Sequence, residues 1–280
     1  MIKRILVALD PDSDTPVAIR YAADIARHTD AEVNGLAVVD LENIEAEARG
    51  GGIGSMYFAD KLRAKLTEET RAQARQLIEA FERALDGSGI QHSNLVEEGV
   101  PFRRILEDLK YYDLLVIGRE PHFFYGNPAQ ETEVLANIIH DGVAPVFVVG
   151  TEHRPARRVL VAYDGSPAAA RAMQYVVRHK PFGPEASFEV VHVYDGEEKE
   201  SELMLRLVRD YFAAHGIEAK TANMGGGGHV ADQIIAHAEQ SGADVVVAGS
   251  HVVSKVRRLA FGSTTADLLQ RCTLPLFLHH

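Results

Sequence analysis

Short apolar runs recur along the chain, each closed by turn formers. They include Ile5 to Leu9, Leu114 to Ile117, Val146 to Val149, Val159 to Val161 and Val245 to Ala248. No polar residue interrupts them and β-branched residues are frequent, which predicts strands covered on both faces, as in a parallel sheet. Between the runs the apolar spacing changes to that of a helix. Ala18, Tyr21, Ala22 and Ile25 place one helix over about Thr15 to Arg27. Ala169, Ala172, Met173 and Val176 place another over about Pro167 to Arg178. Alternating strands and helices imply a parallel sheet with helices on both faces.

The pattern is written twice. Lys3 to Asp10 matches Arg157 to Asp164, each an apolar strand ending in aspartate before an Ala-rich helix. Glu32 to Asp40 matches Ser187 to Asp195, Asp113 to Gly118 matches Asp244 to Gly249, and Ala144 to Val149 matches Leu274 to His279. A period this long is a tandem domain, not a solenoid. The expected class is α/β, with two tandem doubly wound, Rossmann-like parallel-sheet domains over residues 1–150 and 157–280. The linker, about Gly150 to Ala156, is polar and contains Pro155. The first half carries an insertion after Asp40: a polar helical stretch Leu41 to Arg49, a glycine-rich break Gly50 to Gly54, and one long amphipathic helix from Phe58 to Leu85. Gly50 to Gly54 follows no strand directly and precedes no Lys-Ser or Lys-Thr, so it reads as a mobile connection. Met56, Tyr57 and Phe58 read as that helix's core face.

In a doubly wound sheet, ligands sit beyond the carboxyl ends of the strands, where strand order reverses. The second half has the more suggestive ends. Val245 to Ala248 is a strand closed by Gly249. A basic loop with Lys255, Arg257 and Arg258 follows, and then Gly262, Ser263, Thr264 and Thr265 open a helix. Free amides at a helix N-terminus and the helix dipole suit an anion. The competing reading is an ordinary strand-to-helix connection with glycines for close packing. Gly225 to Gly228, between a strand over Glu218 to Asn223 and a helix over Val230 to Gln240, reads as a tight connection; a secondary phosphate contact is the sharper alternative. Asp164 either accepts from ribose hydroxyls or caps its helix, alone or through Ser166. His192 reads as a hydrogen-bonded strand histidine.

Gly249, two residues, Val252, nine residues, then Gly262-Ser263 resembles the nucleotide loop of universal stress proteins, which runs Gly, two residues, Gly, nine residues, Gly, Ser or Thr. The resemblance covers the whole chain as a tandem pair. It implies an adenine nucleotide alpha hydrolase-like fold, stress-response or regulatory duty, and dimer-type pairing of the two domains. It also implies ATP, ADP or AMP binding, with Mg held through the phosphates. Carried onto this sequence, the contact set is Ala162, Tyr163, Asp164, Val193, Ala248, Gly249, Val252, Gly262, Ser263 and Thr264, with the backbone of Val193 at the adenine edge.

Val252 departs from the family's middle glycine. If that position needs positive φ, a β-branched residue costs on the order of 1–2 kcal/mol. At ~1.4 kcal/mol per decade this weakens binding about tenfold, and Val252→Gly then tightens it. A rearranged loop holding AMP or ADP is the alternative. The first half departs further: Thr132-Glu133 stands where Gly262-Ser263 stands, and Phe123, Phe124 and Tyr125 follow its strand. A glutamate there repels a phosphate, so the first half is expected to be a non-binding partner domain.

Composition narrows the rest. A net charge of -11 argues against a nucleic-acid partner. The single cysteine, Cys272, allows no internal disulfide and reads as a core residue. Ile5 to Leu9 is too short for a signal peptide, and no run approaches the ~20 residues of a membrane helix. The expected compartment is the cytoplasm, with no membrane partner. Ligases and pyrophosphatases of similar fold need Ser-Gly-Gly-x-Asp-Ser or His-x-Gly-His, which this sequence lacks, as it lacks Gly-x-x-x-x-Gly-Lys. At most weak ATP hydrolysis is expected, and a ligand-free interaction scaffold remains the rival. No role is assigned to His279-His280, and a homodimer stays open.

Overall fold

The structure is a computed structural model that describes residues 1–40, 56–119, 121, 131–194, 198–225, 227–250, 252–255, 258–261 and 263–280. Of residues 56–59, 131–134, 252–255 and 258–261 only the backbone is described. The readings made for Leu41 to Arg49, Gly50 to Gly54 and Phe123 to Tyr125 therefore lie outside the described residues, as do those made for the side chains of Met56, Tyr57, Phe58, Thr132 and Glu133.

The first half runs β1 (Arg4–Leu9), α1 (Thr15–Thr29), β2 (Glu32–Val39), α2 (Met56–Leu85), β3 (His92–Glu98), α3 (Pro101–Leu109), β4 (Leu114–Gly118), α4 (Glu131–Asp141) and β5 (Val146–Val149). The second runs β6 (Arg158–Ala162), α5 (Pro167–His179), β7 (Ser187–Val193), α6 (Glu198–Ala214), β8 (Ala219–Met224), α7 (Val230–Ser241), β9 (Val245–Gly249), β10 (Val252–Lys255), β11 (Arg258–Phe261), α8 (Ser263–Arg271) and β12 (Leu276–His279). The long insertion helix of the first half has 30 residues against 17 for its counterpart α6. Among the described residues, no helix is long and apolar enough to cross a membrane.

Each half is a doubly wound parallel sheet, in order β3-β2-β1-β4-β5 and β12-β9-β6-β7-β8. The halves do not keep separate sheets. β5 and β12 pair antiparallel, Phe147 opposite Phe277, giving one ten-stranded sheet. Both are continuous apolar strands, so each half alone would leave a hydrophobic edge open. Pairing them closes both.

The cores follow the strand period of two. Ile5, Val7, Val245 and Val247 face one side of the sheet; Leu6, Ala8, Val246 and Ala248 face the other. Phe147 and Phe277 are fully buried at the seam. Tyr21 meets Phe147 edge-on at 5.2 Å, and Phe182 packs against both phenylalanines. The repeat extends to hydrogen bonds. Asp113 Oδ2 accepts the amides of Lys3 at 2.7 Å and Arg4 at 3.0 Å. Asp244 Oδ2 accepts those of Arg157 at 3.1 Å and Arg158 at 2.8 Å. Each aspartate thus ties the entry of the central strand to the strand after the reversal.

Candidate binding site

The carboxyl ends of β6, β7 and β9 and the first turns of α7 and α8 surround a cavity of about 280 Å³. The expected contacts Ala162, Tyr163, Asp164, Val193, Ala248, Gly249, Ser263 and Thr264 all line it. Val191, Val230, Ile234, Thr265 and Leu268 complete the wall. The cavity is apolar on the α7 side and carries hydroxyls and helix amides on the α8 side. Gly262 lies outside the described residues, and Val252 is described as backbone only.

Ser263 begins α8. The opening amides of a helix have no intrahelical acceptor and carry the positive end of its dipole, so the rim here suits an anion. Thr265 Oγ1 donates to Gly249 O at 3.4 Å, tying the first turn of α8 to the end of β9. His229, the N-cap of α7, makes no side-chain cap; its Nε2 lies 3.2 Å from Asp267 Oδ2 and joins the starts of α7 and α8.

Gly249 is required by packing. A Cβ there would lie 2.3 Å from Ala169 N and 2.7 Å from Ala168 C, inside the start of α5. Asp164 is exposed and its Oδ1 accepts the Ser166 amide at 2.9 Å, while Ser166 Oγ accepts the Ala169 amide at 3.2 Å. The capping role is present, and among the described residues Oδ2 has no protein partner. Burial, then Asp164, raises the Tyr163 phenol above its ordinary value. Gly227 and Gly228 have φ of 66° and 131°, and a Cβ on Gly225 would strike the Tyr194 ring at 2.4 Å. At Gly225 the Tyr194 ring lies on the backbone. His192 Nδ1 lies 2.6 Å from Ser201 Oγ, which also donates to Asn223 Oδ1; burial holds the imidazole below its ordinary pKa. Cys272 is buried, and burial pushes its thiol up.

The loop after Gly249 is not the irregular segment expected. β10 and β11 pair antiparallel, Val252 with Phe261 and Lys255 with Arg258. Val252 is a strand residue, where a β-branched side chain is favoured. The penalty expected for positive φ at this position does not arise, and with it goes the reason for Val252→Gly to tighten binding. The hairpin backbone runs against α4 of the first half.

The universal stress protein family matches residues 1–149 and again residues 155–279. The chain belongs to the universal stress protein family. Slr1230, a universal stress protein of Synechocystis sp. (strain ATCC 27184 / PCC 6803 / Kazusa), is 23% identical over 289 residues, spanning 98% of this chain and 99% of that protein. The crystal structure of a universal stress protein from Archaeoglobus fulgidus DSM 4304 superposes with a TM-score of 0.71 at 20% identity, over 99% of this chain and 97% of the other. A structure described as a putative universal stress protein from Pseudomonas aeruginosa UCBPP-PA14 gives 0.61 at 18% identity, over 99% and 93%. At these identities the structural likeness carries the fold.

Within this universal stress protein the two halves treat the strand end differently. Asp14, the N-cap of α1, faces Gly118 as Ala168 and Ala169 of α5 face Gly249. Asp14 Oδ2 accepts the Arg119 amide at 3.0 Å, and a Cβ on Gly118 would lie 2.8 Å from Asp14 Cβ. Asp14 and Asp10 are buried at the mouth of the first half. A carboxylate already occupies the amide that follows β4, in addition to the acidic residue read from the sequence at Glu133.

The sequence reading missed two kinds of residue. Val191 follows from Val193 by strand period, and Ile234 from Val230 by helical spacing, so both were within reach. Asp14 and Arg119 were not, because their roles depend on contacts 105 and 150 residues away in the chain.

Proposed function

We propose that the second half binds an adenine nucleotide, ATP, ADP or AMP, and that the protein acts as a nucleotide-responsive regulator in stress rather than as a turnover enzyme. One observation carries this reading: an apolar cavity at the strand-order reversal opens onto the hydroxyl-rich N-terminus of α8. At about 280 Å³ the cavity is near the ~300 Å³ lower end of small-molecule sites, room for the nucleoside. The phosphates then extend over Ser263 and Thr264 toward the hairpin, and Mg binds through the phosphates. Asp164 Oδ2 receives a ribose hydroxyl, and the Val193 backbone meets the adenine edge. Ala162, Tyr163, Ala248, Gly249, Val252 and Gly262 complete the contact set. The first half is the non-binding domain of an intramolecular pair, its edge joined to its partner through β5 and β12. Family membership supports the stress role.

Calorimetry with ATP, ADP and AMP, with and without Mg, and mass spectrometry of nucleotide released from purified protein test this. Ser263→Asp separates binding from folding. An acidic residue in the first turn favours the helix dipole, so the melting temperature holds, while repulsion of the phosphate weakens binding at least tenfold. Millimolar ATP, ADP and AMP all ignored by the parent protein overturns the reading and leaves a scaffold of two like folds.

A further inference from the structure

Arg119 lies one residue beyond β4, in the first half, yet its guanidinium serves the second. Nη1 donates to Leu269 O at 2.6 Å and to Leu268 O at 3.4 Å, and Nη2 donates to Leu274 O at 2.7 Å. Leu268 and Leu269 are in the last turn of α8, and Leu274 is in the segment leading to β12. The final carbonyls of a helix lack intrahelical donors and carry the negative end of its dipole. The Cys272 amide already donates to Leu268 O at 3.0 Å, so the guanidinium satisfies chiefly the Leu269 carbonyl, clips the end of α8 to Leu274 and opposes that charge.

α8 has nine residues, a rod of about 13 Å at ~1.5 Å per residue. Its first turn presents Ser263 and Thr264 to the cavity, and its last turn ends on Arg119. A rigid element this short transmits a shift at one end to the other. Among the described residues its other polar ties include Thr265 to Gly249 at the cavity end, Asp267 to His229 at mid-helix, and Arg271 to Asp232. Arg119 is thus a tether that the first half supplies to the last turn of α8, besides the packing of α4 on β11. Among the described residues the connection has no reciprocal: Ser250 stands in the equivalent place after β9, is 1% exposed, and its hydroxyl has no hydrogen-bond partner.

We propose that Arg119 is a positioning residue for the binding site. Through it the first half, which holds no nucleotide, fixes the seat of α8 and so sets the affinity of the second half. This rests on the nucleotide reading above.

Two variants and two measurements test it. Arg119→Met keeps the stem and removes every donor; Arg119→Lys keeps one charged donor group. Hydrogen exchange without nucleotide is expected to speed up in α8 for Arg119→Met while β5 and β12 stay protected. ATP and ADP are expected to bind at least tenfold more weakly to Arg119→Met, with Arg119→Lys intermediate. Faster exchange in α8 with affinity within twofold of the parent overturns the positioning role and leaves a structural tether. Unchanged exchange in α8 shows that the contact does not hold the helix and also overturns it. A parent protein that binds no adenine nucleotide overturns the binding reading itself, and the exchange arm, run without ligand, still reports separately whether Arg119 seats α8.

Discussion

The strand ends after β4 and β9 start from the same design and finish differently. Both close on a glycine, Gly118 or Gly249, packed against the start of the helix that follows the first strand of its half. In the first half that helix start is Asp14, which takes the next amide for its own carboxylate. In the second it is Ala168 and Ala169, apolar and neutral, and the next amide, Ser250 N, pairs instead with His279 O at 2.9 Å. The two mouths therefore differ in chemistry rather than in space: a cavity of about 310 Å³ beside Asp14 and Arg119 is lined by charged and polar side chains, whereas the one of about 280 Å³ beyond β9 is lined by apolar side chains and the hydroxyls of α8.

The seam is where the halves remain most alike, and breaking it is the largest effect expected. Phe147 and Phe277 face each other across the antiparallel pair, both fully buried, with ring centroids 6.2 Å apart. Phe147→Ala and Phe277→Ala should each cost about 3–5 kcal/mol in denaturant unfolding. Because the rings touch, the double variant should lose less than the sum of the two. Strongly unequal single losses would show that one half carries the joint.

The glycines sharpen the contrast next. A methyl on Gly249 meets backbone of α5, 2.3 Å from Ala169 N, and neither partner can turn aside. A methyl on Gly118 meets the side chain of Asp14 at 2.8 Å. Overpacking of this kind costs about 1–3 kcal/mol, and Gly249→Ala belongs at the upper end. Gly118→Ala should cost less by thermal denaturation. Equal losses would mean that α5 shifts as freely as the Asp14 side chain.

Strands β1, β4, β5, β6 and β9 were legible because each is an unbroken apolar run, and α1 and α5 because each repeats at its own period; β3, a largely polar strand at the sheet edge, gave no such signal. Eight of the thirteen cavity-lining residues were legible, because strand order puts the carboxyl ends together and the family resemblance of the glycine spacing marks the loop. The joining of two sheets was not, since β5 and β12 look like any buried strand until their edges meet. The β10–β11 hairpin was not legible, since the expectation of a loop rested on three cations and on Val252 alone, without the apolar Val253, Leu259 and Phe261. Val252 was read against a family glycine, whereas its own chemistry favours extension. Asp14 sits before a helix, where aspartate ordinarily caps, yet it makes no side-chain cap there and turns to Arg119.

Acid separates the halves more gently. Burial, then His280 and Arg171, lowers the His279 imidazole to about 4 from an ordinary 6.5. In β5 the matching position is Val149, which does not titrate. Between these two values the unfolded chain takes up a proton that the folded chain refuses. The stability held above pH 6.5 therefore declines as pH falls toward 4, by at most ~1.4 kcal/mol per pH unit for this one site. His279→Val should flatten the dependence of unfolding free energy on pH over that window. A slope unchanged in the variant would place the acid sensitivity on the half-buried imidazoles His179, His192 and His280, whose pKa partial burial also lowers.

The smallest change addresses the hairpin, an element this half places between Gly249 and α8. Val252 starts β10 opposite Phe261, at the end nearer the cavity. Glycine there widens the backbone freedom to be lost on folding and removes a β-branched cross-strand partner, together worth up to about 1 kcal/mol. If the extended strand is the binding conformation, Val252→Gly leaves stability slightly lower and weakens ADP binding by about fivefold or less in calorimetry. If binding instead requires the family's left-handed turn at this position, the same substitution tightens ADP. The sign of that change decides whether this half has built its own version of the loop, with a strand where its relatives use a glycine, or carries the family loop under strain.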